Sequence, residues 1–250
     1  MEVLTRPVRI RLDNYRANRR VLRGHTSFDR SRLTRTYVAA LRLLQEKQPD
    51  VPLGDYLEFG VYHGTSLSSM YDAIRELGVD SVRLFGFDSF QGLPSIAADE
   101  DDGLWAPGQY RSSMELTRTN LSRWGVPEGS ATLIPGWFDD TLVPETRLQH
   151  GIHRVSVVMV DCDLYSSTKT ALAFCEPLVR DTAVFVFDDW HADGLADRNM
   201  GEGAAFREFL REHPHFTAEE LAGLNYKDKA DPMIFLVTRR AESGLGGKTL

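Results

Sequence analysis

A doubly wound α/β fold, a mostly parallel sheet with helices on both faces, is what this 250-residue sequence predicts. Three observations lead there. Strand-like and helix-like segments alternate from about residue 51 onward, the order that builds such sheets. The strand segments are short runs apolar on both faces, as in "VSVVMV" and "AVFVF", which suit strands covered on both sides. Five runs then stop on glycines or carboxylates without a spacer, and folds of this kind bind ligands beyond the carboxyl ends of their strands.

The elements follow in order. Residues 1–24 are basic and lack the apolar core of a signal peptide. Leu33, Tyr37, Ala40, Leu41 and Leu44 recur at helical spacing, so residues 31–47 predict an amphipathic helix, ended by Pro49 and Pro52. Residues 1–50 are thus an N-terminal helical extension. "DYLEFGV" is the first strand; the next helix starts near Thr65, with Leu67, Met70, Ile74 and Leu77 on one face and Gly78 as its cap. "VRLFGFD" is the second strand. Residues 91–111 are long for a loop and predict a lid or binding segment, or, around Asp99 to Asp102, a disordered acidic insert. A helix opens at Ser112, with Glu115 completing a capping box. "ATLIPGW", "HRVSVVMVDCD" and "AVFVFDD" are strands, with a helix over 166–179 between the last two. "GAAFREFL" is a helix and "DPMIFLVTRR" the last strand. The whole, 1–250, is expected to be one domain with its core at 51–240 and a flexible tail at 241–250.

The net charge of -7 argues against general affinity for nucleic acid or an anionic membrane. No apolar run reaches membrane-span length, so a soluble, cytoplasmic protein with a small-molecule partner is expected. Cys162 and Cys175 have no metal-type spacing and read as core thiols.

In "EFGVYHGTS", Gly60 and Gly64 lie between strand and helix, where backbone approaches a ligand closely and Thr65 and Ser66 open the helix with free N–H groups. Glu58 puts a negative charge beside that turn, which suits a ligand with a cationic end; Asp88 ends the next strand, where a ribose diol is commonly held. S-adenosylmethionine fits both. A nicotinamide-dependent oxidoreductase would place a pyrophosphate at the Gly60 turn, which Glu58 disfavours. A non-catalytic cofactor-binding partner subunit would have no need of the four aspartates at the later strand ends.

Those aspartates are Asp161, Asp163, Asp188 and Asp189. Residues i and i+2 of a strand share a side, so Asp161 and Asp163 are expected to face one cleft with Cys162 turned away. Unit charges about 4 Å apart interact by ~4 kcal/mol at an effective dielectric near 20, so the cluster needs a cation, a proton or distance. Oxygen ligands without His or Cys favour Mg²⁺. The alternative is two pairs that face different ways and cap turns.

"YLEFGVYHGTSL", "GFDSFQGLP", "PGWFDDTL", "VDCDLYSSTKTAL" and "FDDW", in this order, resemble the macrocin O-methyltransferase family: Mg²⁺- and S-adenosylmethionine-dependent enzymes that methylate sugar hydroxyls in antibiotic biosynthesis, with a class I methyltransferase fold. The resemblance spans about residues 55–189. It implies that Asp161, Asp188 and Asp189 hold the metal, that Asp163 is the general base, and that Glu58, Gly60, Asp88 and Ser89 line the cofactor site, with Gly136 and Trp137 near the adenine. It implies also a deoxysugar or glycoside acceptor and a homo-oligomer. Beyond "FDDW" the match is loose. His191 is expected to be structural, His213 and His215 to lie on the surface, Trp137 and Trp190 to stack on cofactor or pack in the core, and Lys227 and Lys229 to sit in a solvated loop. Similar sequences occur among cephalosporin hydroxylases, so fold alone does not fix the reaction.

Overall fold

The computed structural model describes residues 5–26, 29–224 and 232–240. Seven strands form one sheet in the order β3-β2-β1-β4-β5-β7-β6: β1 (Asp55–Phe59), β2 (Leu84–Asp88), β3 (Ala131–Pro135), β4 (Val155–Val160), β5 (Thr182–Phe187), β6 (Phe216–Glu220) and β7 (Met233–Arg239). The first five pair in parallel, and β7 runs antiparallel between β5 and β6. The chain order reverses between β1 and β4, which opens a crevice at their carboxyl ends.

Strand alternation feeds two cores. Leu57, Phe59, Val158, Val160, Phe185 and Phe187 face one side, packed with Phe174 of α7 (Tyr165–Cys175) and Phe206 of α8 (Gly201–Glu212). Tyr56, Val157, Met159, Val184 and Val186 face the other, under Tyr37 and Leu41 of α2 (Arg30–Lys47) and Leu67 and Met70 of α3 (Thr65–Leu77). Each large apolar side chain removed from water contributes about 1.5–3 kcal/mol, so both helical layers are held by the sheet. Cys162 and Cys175 are buried free thiols.

Local signals explain most boundaries. The Asp29 carboxylate caps α2 by accepting from the Ser31 and Arg32 N–H groups, and α3 ends on left-handed Gly78. The helix expected at Ser112 opens two residues later, as α4 (Met114–Arg123). Ser113 is its cap, accepting from Leu116 N at 3.2 Å, because Ser112 is buried and bonds to a backbone carbonyl instead. The helix expected over 166–179 stops at Cys175 and tightens into one turn over Glu176–Leu178, since Pro177 has no N–H to continue the ladder. The structure adds elements the periodicity did not show: α1 (Arg6–Val21), α5 (Phe138–Thr141), α6 (Pro144–His150) and strand β6. β6, "FTAEE", is an edge strand with one buried side chain, Phe216, so it carries no strong pattern. Lys227, Lys229 and the tail 241–250 lie outside the described residues. Among those described, no helix is long and apolar enough to cross a membrane.

Candidate active site

The hydrogen-bond ladders run one residue past each strand at the carboxyl edge. Gly136 N–H donates to Asp88 C=O at 3.0 Å, Gly60 to Phe87 at 2.9 Å, Asp161 to Phe59 at 2.9 Å, and Asp188 to Val160 at 3.0 Å. Four residues singled out by the sequence therefore stand side by side along one rim. They border a cavity of about 900 Å³, in the range of small-molecule sites. Glu58, Gly60, Thr65, Ser66, Asp88, Ser89, Gly136, Trp137, Asp161, Asp163, Asp188 and Asp189 all line it. Gly64 does not.

At the β1–β2 end, carboxylates have neutral partners. Glu58 is 1% exposed and its Oε2 accepts from the Tyr56 hydroxyl at 2.5 Å. Tyr56 in turn contacts Ser66 Oγ at 2.9 Å, and Ser66 contacts the Tyr37 hydroxyl at 2.6 Å, so α2 reaches the start of α3 and the end of β1 through buried hydroxyls. Burial pushes the Glu58 carboxyl up to about 8, and the Tyr56 hydrogen bond opposes it. Asp88 Oδ2 accepts from the Val61 and Tyr62 N–H groups, both at 2.8 Å, and Oδ1 from Phe90 N at 2.6 Å. The residue expected at a ribose thus also shapes the turn, with Tyr62 and Phe90 in left-handed conformations at φ 46 and 55. Ser89 Oγ accepts from Gln91 N and donates to Gly92 O. Thr65 Oγ1 is buried without a hydrogen-bond partner at the start of α3.

The two glycines are required for reasons the sequence did not reveal. A Cβ on Gly60 would fall 1.7 Å from the Asp161 carbonyl oxygen, so this residue, at φ +90, lets the ends of β1 and β4 touch. A Cβ on Gly64 would lie 3.0 Å from Leu121 and 3.2 Å from Thr117 of α4. It packs against that helix and stands just off the cavity lining, between His63 and Thr65, which belong to it.

At the β4–β5 end the carboxylates face one another. Strand alternation was the expected reason for Asp161 and Asp163 to converge, but β4 stops at Val160 and Asp163 adopts φ 64 in a turn closed by Leu164 N to Cys162 O at 2.7 Å. Asp161, Asp188 and Asp189 each place a carboxylate oxygen within 4.8 Å of the others; Asp163 lies beside that group in the same cavity. Burial, then mutual repulsion, holds Asp161, Asp163 and Asp188 well above the usual carboxylate range. Burial also pushes Asp189 up to about 6. Asp189 Oδ2 is buried with no hydrogen-bond donor. Three converging carboxylates with an orphaned buried oxygen, and no sulfur or nitrogen among them, fit a hard divalent cation.

Residues 91–111 form a packed wall. The acidic stretch is pinned: Glu100 Oε2 accepts from Ser166 N at 3.0 Å and Asp101 Oδ2 from Tyr165 N at 3.2 Å, capping α7, while Asp101 Oδ1 accepts from Gly201 N at 2.9 Å at the start of α8. Ala97 and Trp105 pack with Leu164 and Leu195 beneath it. From outside, α1 clasps the same segment: Arg6 donates to the Gly103 and Trp105 carbonyls, and Asn14 to Gly108 O at 2.7 Å. Asn18 Oδ1 lies 2.7 Å from His63 Nε2.

Several cavity residues had little sequence signal. Tyr62 stacks on His63 with ring centres 3.6 Å apart and meets Tyr110 edge-on at 5.8 Å; burial depresses His63 to about 4. Ser166, Ser167 and Thr170 of α7 also line the cavity. Only adjacency to the "VDCD" run pointed to them. Trp137 lines the cavity, whereas Trp190 is core, packed on Phe187 and Phe235. His215 Nε2 bonds Glu176 at 3.1 Å and is only half exposed, as is His213, so neither is simply a surface residue.

A family model described as Macrocin-O-methyltransferase (TylF) matches residues 11–209. The chain is 30% identical over 187 residues to the 8-demethyl-8-(2,3-dimethoxy-alpha-L-rhamnosyl)-tetracenomycin-C 4'-O-methyltransferase of Streptomyces olivaceus, covering 70% of this chain and 66% of that one. It is 27% identical over 175 residues to the Mycinamicin III 3''-O-methyltransferase of Micromonospora griseorubida, covering 67% and 65%. The matches thus span slightly less than two thirds of these curated relatives. Among solved structures, the O-methyltransferase NovP shares the fold, with a TM-score of 0.66 at 22% identity over 84% of this chain and 80% of that one.

Proposed function

Because the chain belongs to the macrocin O-methyltransferase family, we propose that it transfers the methyl group of S-adenosylmethionine to a hydroxyl of a deoxysugar or glycoside in natural-product biosynthesis, with Mg²⁺ at the acidic group. The observation that carries this reading is the meeting, in one cavity, of two carboxylate clusters with opposite needs. Glu58, held by Tyr56, suits the cationic end of the cofactor; Thr65 Oγ1 and the start of α3 offer donors for its carboxylate. Asp88 and Ser89 lie where the ribose would rest, and Gly136 and Trp137 form the wall beyond.

At the other end, Asp161, Asp188 and Asp189 would hold the cation. When bound, it would lower the pKa of an acceptor hydroxyl, as metals do for bound water. Asp163, beside that group, takes the hydroxyl proton as general base. The wall of residues 91–111, sealed by Glu100 and Asp101 against α7, keeps water from the reacting atoms and fixes their approach. Glu58, buried at the turn where a dinucleotide would place its pyrophosphate, weighs against nicotinamide chemistry. A homo-oligomer is also expected from family membership, and light scattering on the purified chain tests it.

The deciding experiment is methyl transfer from labelled S-adenosylmethionine to a panel of rhamnosides and nucleotide-linked deoxysugars, with Mg²⁺ and with a chelator. Transfer to a glycoside that stops with chelator is the expected result. Absence of S-adenosylmethionine binding by calorimetry would falsify the proposal at its base.

A further inference from the structure

Glu202, the second residue of α8, is 1% exposed and no part of the cavity lining. Its Oε2 accepts from the Asp189 backbone N–H at 3.0 Å, and its Oε1 is buried with no hydrogen-bond donor. A buried carboxylate with no cationic partner is costly, so its location calls for a reason. The main chain supplies one. Successive residues of a strand point to opposite faces, yet Asp188 and Asp189 both bring oxygens to the same group of three. The last ladder bond of β5 is Asp188 N to Val160 O. At Asp189, the second residue past the end of β5, the N–H is taken by Glu202.

We infer that Glu202 is a positioning residue for the acidic site: by accepting the Asp189 N–H it bends the chain off the end of β5, so that two consecutive aspartates face one dication. α8 is fixed for this task from its other side, since Gly201 N–H donates to Asp101, which also caps α7. Glu202 lies outside the set of converging ligand oxygens and acts through Asp189. The inference rests on the reading of Asp161, Asp188 and Asp189 as a divalent-cation site.

The experiment is a calorimetric titration of the full chain with Mg²⁺, and separately with S-adenosylmethionine, for wild type, Glu202→Gln and Glu202→Met. The amide oxygen of Gln still accepts the Asp189 N–H; Met fills a similar volume and accepts nothing. The expected result is a Mg²⁺ affinity roughly tenfold or more weaker in Glu202→Met, within the range for outer-shell partners of metal ligands, restored most of the way in Glu202→Gln, with S-adenosylmethionine affinity unchanged in both. If Glu202→Met does not fold, Glu202→Ala gives the same readout. Equal Mg²⁺ affinity in wild type and Glu202→Met, or equal loss in Gln and Met, overturns the inference. Wild type that binds no Mg²⁺ overturns the cation-site reading beneath it instead.

Discussion

The two ends of the cavity both bury carboxylates, and they do so by different means. At the β1–β2 end every carboxylate has donors: Tyr56 for Glu58, three backbone N–H groups for Asp88. At the β4–β5 end, Asp161, Asp188 and Asp189 face one another, and Asp189 Oδ2 and Glu202 Oε1 are left with none. A hydrogen-bonded carboxylate is a finished structure; a cluster of opposed ones is a structure that needs a further positive charge. The contrast separates an end whose carboxylates are already hydrogen-bonded from an end that, on the proposed reading, would take a cation.

Replacing Asp163, the proposed base, should have the largest effect. Asp163→Asn is expected to lower kcat by roughly 10²–10⁴ while calorimetry shows both S-adenosylmethionine and Mg²⁺ still bound. Retained turnover would move the proton-accepting role to another group. Next, Glu58→Gln should weaken S-adenosylmethionine about tenfold, or about 1.4 kcal/mol, and leave Mg²⁺ affinity alone. Asp188→Asn/Asp189→Asn should do the reverse. Two variants with identical losses on both ligands would dissolve the distinction between the ends.

The pH dependence sharpens it further. Burial raises Glu58 from 4.5 to about 8 and Asp189 from 3.8 to about 6. A carboxyl raised in the fold stays protonated where the unfolded chain has already lost its proton, so its contribution is present below the unfolded value and is lost as pH rises through the folded one. His63, depressed to about 4, works the other way up to its unfolded value near 6.5, so the ligand-free protein should lose Tm chiefly between about pH 6.5 and pH 8, as thermal melts will show. Mg²⁺ should restore the part due to Asp189, and Glu58→Gln should flatten the upper part. A Tm that rises between about pH 6.5 and pH 8 contradicts the Glu58 shift. The smallest change in catalysis is expected from Asp101→Ala, which strands the Tyr165 and Gly201 N–H groups and should cost about 1–3 kcal/mol of stability, read by denaturant melts, with a higher KM for acceptor and little change in S-adenosylmethionine affinity.

The fold was legible because its signals are local. Leu67, Met70, Ile74 and Leu77 repeat with a helix period, and the runs at β4 and β5 are apolar on both faces, so every strand but β6 and most helices show within their own residues. The cavity residues at strand ends were legible for the same reason. α1 was not: its arginines mask any apolar stripe, and its role is to hold residues 103–111 through backbone carbonyls, which no side-chain pattern encodes. The acidic run at residues 99–102 reads in sequence equally as part of a lid or as a disordered insert, whereas in the fold Asp101 is 5% exposed and caps two helix starts.

By itself, then, the sequence determined the alternation of elements, the strands that are covered on both faces, and the glycines and aspartates at their carboxyl ends. Only the tertiary structure decided that Gly60 must lack a side chain because Asp161 lies against it, that Gly64 packs against α4, and that Glu202 accepts the Asp189 N–H. The physical reason is range. Periodicity and capping act over a few residues of one segment, while these contacts join elements that only the winding of the sheet brings together.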